Sequence, residues 1–138
     1  MSSTTPPLPT LPEGPVPARL RPEALGGLRA LDPVNGEAFV ARVLQTYRRS
    51  LDRYLPELEA ALNHGDVANA RMIVHSLKSS SLQIGADDFG QLCAAIEQRL
   101  VSAGAIDAGA VTMLADLFVR VPAVRRSIDA EIGPEAAR

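Results

Sequence analysis

The sequence contains two histidines, and one of them has a neighbour that suits it for chemistry on an anionic group. Lys78, the only lysine of the chain, follows His75 by three residues, a spacing that makes the two side chains neighbours on a helix. A neutral, exposed imidazole has a ring nitrogen that can act as a nucleophile. An ammonium group one turn away can neutralise anionic oxygens without competing for that nitrogen, because lysine only donates hydrogen bonds. His75 and Lys78 are therefore the first candidates for a functional site.

The second histidine has a different setting. His64 directly precedes Gly65, at the expected end of a long helix. An imidazole there can interact with the negative end of the helix dipole and hydrogen-bond one of the last carbonyls. We therefore expect a structural role for His64.

The residues around the candidate site are expected to be helical from Gly36 onward, because apolar residues recur three and four positions apart. The first long helix should stop at Gly65, the second should run from Asp66 to Gly85, the third should start at Asp87 and the last near Asp107. Four such helices with short turns predict an all-α fold, an antiparallel up-down four-helix bundle. The expected core positions include Val40, Val43, Tyr47, Leu51, Leu55, Leu58, Leu62, Val67, Ala70, Leu77, Ile84, Phe89, Leu92, Cys93, Ile96, Leu100, Val111, Leu114, Leu117, Phe118, Val121, Val124 and Ile128.

The segment before the bundle is set apart by proline, because eight of the 11 prolines lie within the first 33 residues. Proline fixes φ and removes a backbone donor, so this density opposes both helix and sheet. The predicted organisation is a proline-rich disordered tail over residues 1–20, a linker with a short helix over 21–34, the bundle over 35–132 and a C-terminal tail over 133–138. The short helix is expected at Pro22–Ala30, with proline in its first turn.

Composition excludes several classes of function. The formal net charge of −2 provides no strong field toward DNA or an anionic membrane, and five aromatic residues are too few for a nucleic-acid stacking platform. The single Cys93 excludes a disulfide framework and a cysteine-based zinc site. No apolar run reaches the length of a membrane span, and the first residues do not have the pattern of a signal peptide. We expect no nucleic-acid partner, no membrane partner and a cytoplasmic location.

The helical register turns His75 away from the core. Val74, Leu77 and Ile84 form the buried stripe of the second helix, so the opposite face presents His75 to solvent. Four further residues are expected on that exposed face: Arg71, Lys78, Ser79 and Leu82.

The run from Val74 to Ala86, VHSLKSSSLQIGA, resembles the signature of histidine-containing phosphotransfer (HPt) domains. The usual pattern is His-x-Leu-Lys-Gly, two small residues, three further residues and Gly. Leu55-Pro56-Glu57-Leu58 and Asn63-His64-Gly65-Asp66 are similar to the kinked helix and turn that precede this histidine in the family. The resemblance extends over residues 36–132 and implies a four-helix bundle.

The resemblance implies a phosphorelay intermediate. His75 would accept a phosphoryl group from a receiver-domain aspartate and pass it to another, with Lys78 as the charge partner of the phosphoryl group. Glu97 matches a position beside the histidine and is expected to accept from Nδ1–H, which leaves Nε2 free. The implied partners are receiver domains and a hybrid sensor kinase. The chain should need no cofactor, since the receiver supplies Mg²⁺, and should be neither an enzyme nor a nucleotide-binding protein.

Partner docking is expected on the face around His75. Arg71, Met72 and Leu82 would lie in the contact, with the apolar residues ringed by polar groups. Ser79 departs from the family pattern, which has glycine there, and is expected to alter the choice of receivers more than the transfer itself.

Two other functions stay open from the sequence. An HPt-like adaptor would dock signalling partners without carrying phosphate, and a structural bundle would carry His75 incidentally. Retention of both His75 and Lys78 favours the relay over the adaptor, because docking alone needs neither residue. We expect the chain to be a monomer.

Overall fold

The computed structural model describes residues 19–133, and within that range the protein is built from helices without a strand. The helices are α1 (Pro22–Ala30), α2 (Gly36–His64), α3 (Val67–Gln83), α4 (Asp87–Ala103) and α5 (Ala108–Ile132). The predicted all-α class is confirmed, and the predicted short helix occupies Pro22–Ala30. Most of the proline-rich tail and residues 134–138 lie outside the described residues.

Cross-helix contacts show that two pairs of neighbouring helices run in opposite directions. Between α2 and α5, Arg48 binds Asp129 and Arg125 binds Asp52. A residue later in α2 thus contacts a residue earlier in α5, which means that the two helices run in opposite directions. Helices α3 and α4 show the same reversal. Their contacts join His75 to Glu97 near one end and Leu82 to Gly90 near the other.

Helix α1 lies across one end of the bundle. The Arg21 backbone N–H donates to the Gly85 carbonyl at 2.9 Å, and Leu25 and Leu28 are buried in the common core. Gly85 has φ +81°, and a Cβ there would lie 2.5 Å from the Arg21 backbone nitrogen. Glycine is needed at this turn both for its left-handed conformation and for the close approach of α1.

The core differs from the sequence prediction at a few positions. Leu20, assigned to the tail, is buried, so the segment that packs on the bundle begins earlier than predicted. Val111, expected inside, is exposed, because Ala110 and Leu114 take the buried positions of the first turns of α5. Leu44 is fully buried although the predicted stripe omitted it. Six residues of the predicted core are only half-buried and pack at its edge: Val43, Leu55, Leu62, Val67, Leu92 and Phe118.

One polar contact joins α2 and α3 inside the core. The Tyr47 hydroxyl lies 2.7 Å from Ser81 Oγ, and both residues are buried. Burial raises the pKa of Tyr47 far above its usual value, so the hydroxyl stays protonated and can donate to Ser81. A buried hydroxyl pair of this kind helps to fix the position of α3 relative to α2, because sliding would leave both oxygens without a partner.

Candidate functional site

His75 lies near the middle of α3, on the face that points away from the core. Val74, one position before His75, and Leu77, two positions after it, are fully buried. The opposite face of α3, which carries His75, is therefore exposed to solvent. The exposed fraction of the His75 side chain is 58%. The prediction of an outward imidazole is confirmed.

Glu97, on the neighbouring helix α4, contacts both His75 and Lys78 of α3. Its Oε2 lies 2.7 Å from His75 Nδ1, and its Oε1 accepts a hydrogen bond from Lys78 Nζ at 2.5 Å. Each carboxylate oxygen therefore contacts one partner. The expected contact between Glu97 and Nδ1 is present in the structure, whereas the bond to Lys78 was not anticipated.

The charge state of Glu97 determines which nitrogen of His75 carries the proton. The Lys78 hydrogen bond is the main cause that holds the pKa of the Glu97 carboxyl below its usual value. Burial opposes this effect, and the hydrogen bond with His75 adds a smaller lowering of the same pKa. An ionised carboxylate only accepts hydrogen bonds, so Nδ1–H of His75 must donate to it. In the neutral ring Nε2 then has the lone pair, and within residues 19–133 it has no hydrogen-bond partner.

Lys78 corrects part of the sequence prediction. Its side chain was expected on the exposed face beside His75, but it turns toward α4 and its exposed fraction is only 26%. The long aliphatic stem lets the ammonium group reach Glu97, an anion on the adjacent helix. In this structure Lys78 therefore neutralises Glu97.

A shallow depression of about 470 Å³ opens beside the imidazole. It is lined by His75, Glu97 and three residues of the preceding two turns of α3, namely Ala68, Arg71 and Met72. Arg71 is exposed, and no carboxylate within the described part of the chain forms an ion pair with it. The depression was not predicted, because it depends on how α4 packs against α3.

The predicted docking residues occupy the surface around the imidazole. Met72 and Leu82 are 55% and 39% exposed, and Ser79 is also exposed. Leu82 packs against Gly90 of α4, which the sequence analysis did not identify. Gly90 itself was a signal for this contact, because a glycine in the interior of a helix lets a neighbouring side chain approach closely.

His64 has the structural role that the sequence predicted. Its Nδ1–H donates to the Ala60 carbonyl at 2.7 Å, in the last turn of α2, and Gly65 follows in the left-handed conformation. The ring is exposed, but no cation or carboxylate of residues 19–133 contacts it. His64 is thus an exposed histidine without the surroundings of His75.

Neither a cluster of metal ligands nor a membrane-spanning helix occurs among the described residues. Among residues 19–133 no three histidine, cysteine or acidic side chains are grouped as metal ligands. None of the described helices combines the length and the apolar character that crossing a membrane requires.

The fold and the site define a helical bundle with a surface histidine that is hydrogen-bonded to a carboxylate. The HPt domain family model matches residues 42–131, more than half of the sequence, and the protein belongs to this family. HPt domains are phosphocarriers rather than kinases, and they interact with receiver domains and kinases in two-component phosphorelays. No curated protein and no solved structure matches the chain significantly.

Proposed function

We propose that the protein is a phosphorelay intermediate in which His75 accepts a phosphoryl group from one receiver aspartate and passes it to another. The observation that carries this proposal is that the two nitrogens of the imidazole ring have different surroundings. Nδ1 is bonded to Glu97, whereas Nε2 is without a partner in residues 19–133 and belongs to a side chain that is mostly exposed.

The transfer step uses the electron pair of Nε2. This nitrogen attacks the phosphorus of a phosphoaspartate in line with the leaving oxygen, so that an N–P bond forms and the O–P bond breaks. The aspartate leaves as a carboxylate with the bonding pair. The imidazole gains positive character in this step, and the ionised Glu97 stabilises it through the hydrogen bond to Nδ1–H. Return of the phosphoryl group to a second aspartate reverses these changes.

The partners proposed for this step are receiver domains and a hybrid sensor kinase. Met72 and Leu82 offer apolar contacts on either side of His75 along α3, and Arg71 and Ser79 offer polar ones. The receiver would supply the Mg²⁺ that its aspartate site requires, so we propose no metal-binding role for this chain.

Ser79 is the residue that we propose to restrict the choice of receiver. It lies four residues after His75, on the same exposed face of α3. A glycine there would present only backbone, whereas the hydroxymethyl group of serine occupies space into which a receiver must bring its aspartate. Replacing Ser79 with glycine should broaden the set of receivers that transfer phosphate.

The relay is tested by incubating the full chain with a receiver labelled with ³²P on its aspartate. Label should move to this protein in an acid-labile, base-stable form and should be lost in His75→Gln. His64→Gln is the matched control, because it removes the other exposed imidazole and should leave labelling unchanged. Tight binding without label would favour the adaptor, and neither binding nor label would favour a structural bundle.

A further inference from the structure

We propose that the depression beside His75 is the binding site of the phosphoryl group and that Arg71 is the cation that binds it. This inference rests on the proposed function and goes beyond it, because it assigns the phosphoryl oxygens to a residue other than Lys78. It follows from the direction of the side chains, from the pairing of the cations and from the lining of the depression.

The direction of helical side chains places the ring over the preceding turn. The Cα–Cβ bonds of a helix tilt toward its N-terminus, so a long side chain covers surface on the N-terminal side of its own Cα. For His75 this surface belongs to Ala68, Arg71 and Met72, which are the residues of α3 that line the depression. Lys78 lies on the other side of His75 in the sequence and is not part of the lining.

Lys78 and Arg71 differ in their ion-pair partners, and this difference separates their roles. The Lys78 ammonium group donates to Glu97 Oε1 at 2.5 Å, and the same carboxylate holds His75. Moving Lys78 to a phosphoryl group would break this bond and leave the Glu97 carboxylate without the cation that stabilises its charged form. Arg71, four residues before His75, has no carboxylate partner among residues 19–133 and can turn to the phosphoryl group without breaking an ion pair.

The chemistry of arginine suits this ligand. A guanidinium group presents several N–H donors in one plane and can bind two phosphoryl oxygens at once. Residues four apart on a helix have Cβ atoms about 6 Å apart, within reach of an arginine side chain. Ala68 adds little bulk beside the ring, so the depression has room for a small tetrahedral anion.

The experiment places the phosphoryl group on His75 without any protein partner, in a His64→Gln background so that the other exposed imidazole is not modified. Phosphoramidate is the donor: Nε2 attacks phosphorus, the N–P bond of the reagent breaks, and its nitrogen leaves as ammonia with the bonding pair. The ³¹P resonance of the full chain is then followed against pH to obtain the pKa of the phosphoryl group. A nearby cation favours the dianion and therefore lowers this pKa.

Arg71→Gln should raise the phosphoryl pKa by roughly 0.5 unit, as expected for loss of one partly exposed charge. Arg71→Lys should restore part of the shift. Arg126→Gln is the matched control, since it removes an exposed arginine from α5 and should leave the pKa unchanged. Lys78→Gln should raise it less than Arg71→Gln, because its ammonium group is bound to Glu97. Glu97, the anion that faces the ring from α4, is kept intact in all these variants.

Two results would overturn the assignment, and they are distinguishable. If Arg71→Gln titrates like Arg126→Gln while His75 is labelled normally, Arg71 does not bind the phosphoryl group and the relay proposal stands. If neither phosphoramidate nor a labelled receiver modifies His75, the relay fails and this inference fails with it.

Discussion

Gly90 of α4 lies so close to Leu82 of α3 that a methyl group on Gly90 would come within 2.8 Å of Leu82 Cδ2. The absence of a side chain on α4 therefore leaves space for a leucine on the face proposed for docking. Leu82 remains 39% exposed while its inner surface packs on the glycine. The position of Leu82, which we propose to contact the receiver, thus depends on the neighbouring helix α4.

Replacing Gly90 should displace Leu82. We expect Gly90→Ala to lower the free energy of unfolding by roughly 1 kcal/mol, because the steric conflict exceeds the gain in helix propensity. Receiver binding should weaken as well. Urea unfolding followed by circular dichroism measures the first effect. Gly27→Ala in α1 is the control, since a Cβ there meets open space and should stabilise the helix by about 0.5–1 kcal/mol. An equal gain in both variants would contradict the expected clash.

The buried pair of Tyr47 and Ser81 should be visible in a double-mutant cycle. Tyr47→Phe and Ser81→Ala each leave one buried hydroxyl without its partner, and each should cost roughly 1–2 kcal/mol. The double variant should cost less than the sum by at least about 0.5 kcal/mol. Tyr54→Phe serves as the control, because that ring is only half-buried. Strict additivity would show that the two hydroxyl groups do not stabilise each other.

Removing the Glu97 carboxylate should change the tautomer of His75. In Glu97→Ala the neutral ring should no longer favour a proton on Nδ1, and the transfer rate should fall by roughly tenfold, as expected for one lost hydrogen bond to a charged group. Nitrogen-15 chemical shifts of the imidazole report the tautomer, and quench-flow labelling reports the rate. Glu59→Ala, on the exposed surface of α2, should leave both unchanged. An unaltered tautomer in Glu97→Ala would refute the role assigned to this carboxylate.

The lowered pKa of Glu97 predicts an acid-dependent contribution to stability. Because the folded-state pKa lies below the unfolded value of about 4.3, the carboxylate stabilises the fold fully above that pH. The contribution is lost as the pH falls through the lower, folded-state pKa. The difference in unfolding free energy between the native protein and Glu97→Gln should therefore shrink as the pH falls below about 5. Urea titrations at four pH values measure it, and a difference that grows in acid would contradict this sign.

The Cys93 thiol should be unreactive toward thiol reagents in the folded protein. Burial raises the pKa of its thiol to about 12, so the reactive thiolate is scarce at neutral pH and also inaccessible. We expect a disulfide reagent such as DTNB to react at least about 100-fold more slowly with the native chain than with the chain in denaturant. Fast reaction under native conditions would show that α4 opens readily.

Helix positions were predictable because local residues encode them. Proline at the start of α1 and glycines after α2, α3 and α4 mark helix boundaries without reference to the rest of the chain. The exposure of His75 was predictable for a similar reason, since the buried neighbours Val74 and Leu77 fix the helical face.

The contacts between helices could not be obtained in this way. Lys78 was placed by its position on α3, whereas its real position depends on an anion contributed by α4. Glu97 was found through the family pattern, since nothing in its own helix distinguishes it from other acidic residues. The predicted burial of Val111 was wrong because the rotation of α5 about its axis decides whether Val111 or Ala110 is buried. Periodicity alone does not fix that rotation.

The partner of the His75 ring comes from a different helix, 22 residues further along the chain. A peptide limited to α3 would contain the full histidine motif but no group to select its tautomer. Full reactivity of the proposed phospho-acceptor is therefore expected only when the two helices come together. A nascent or damaged chain would transfer phosphate more slowly, so the proposed relay would favour properly folded molecules.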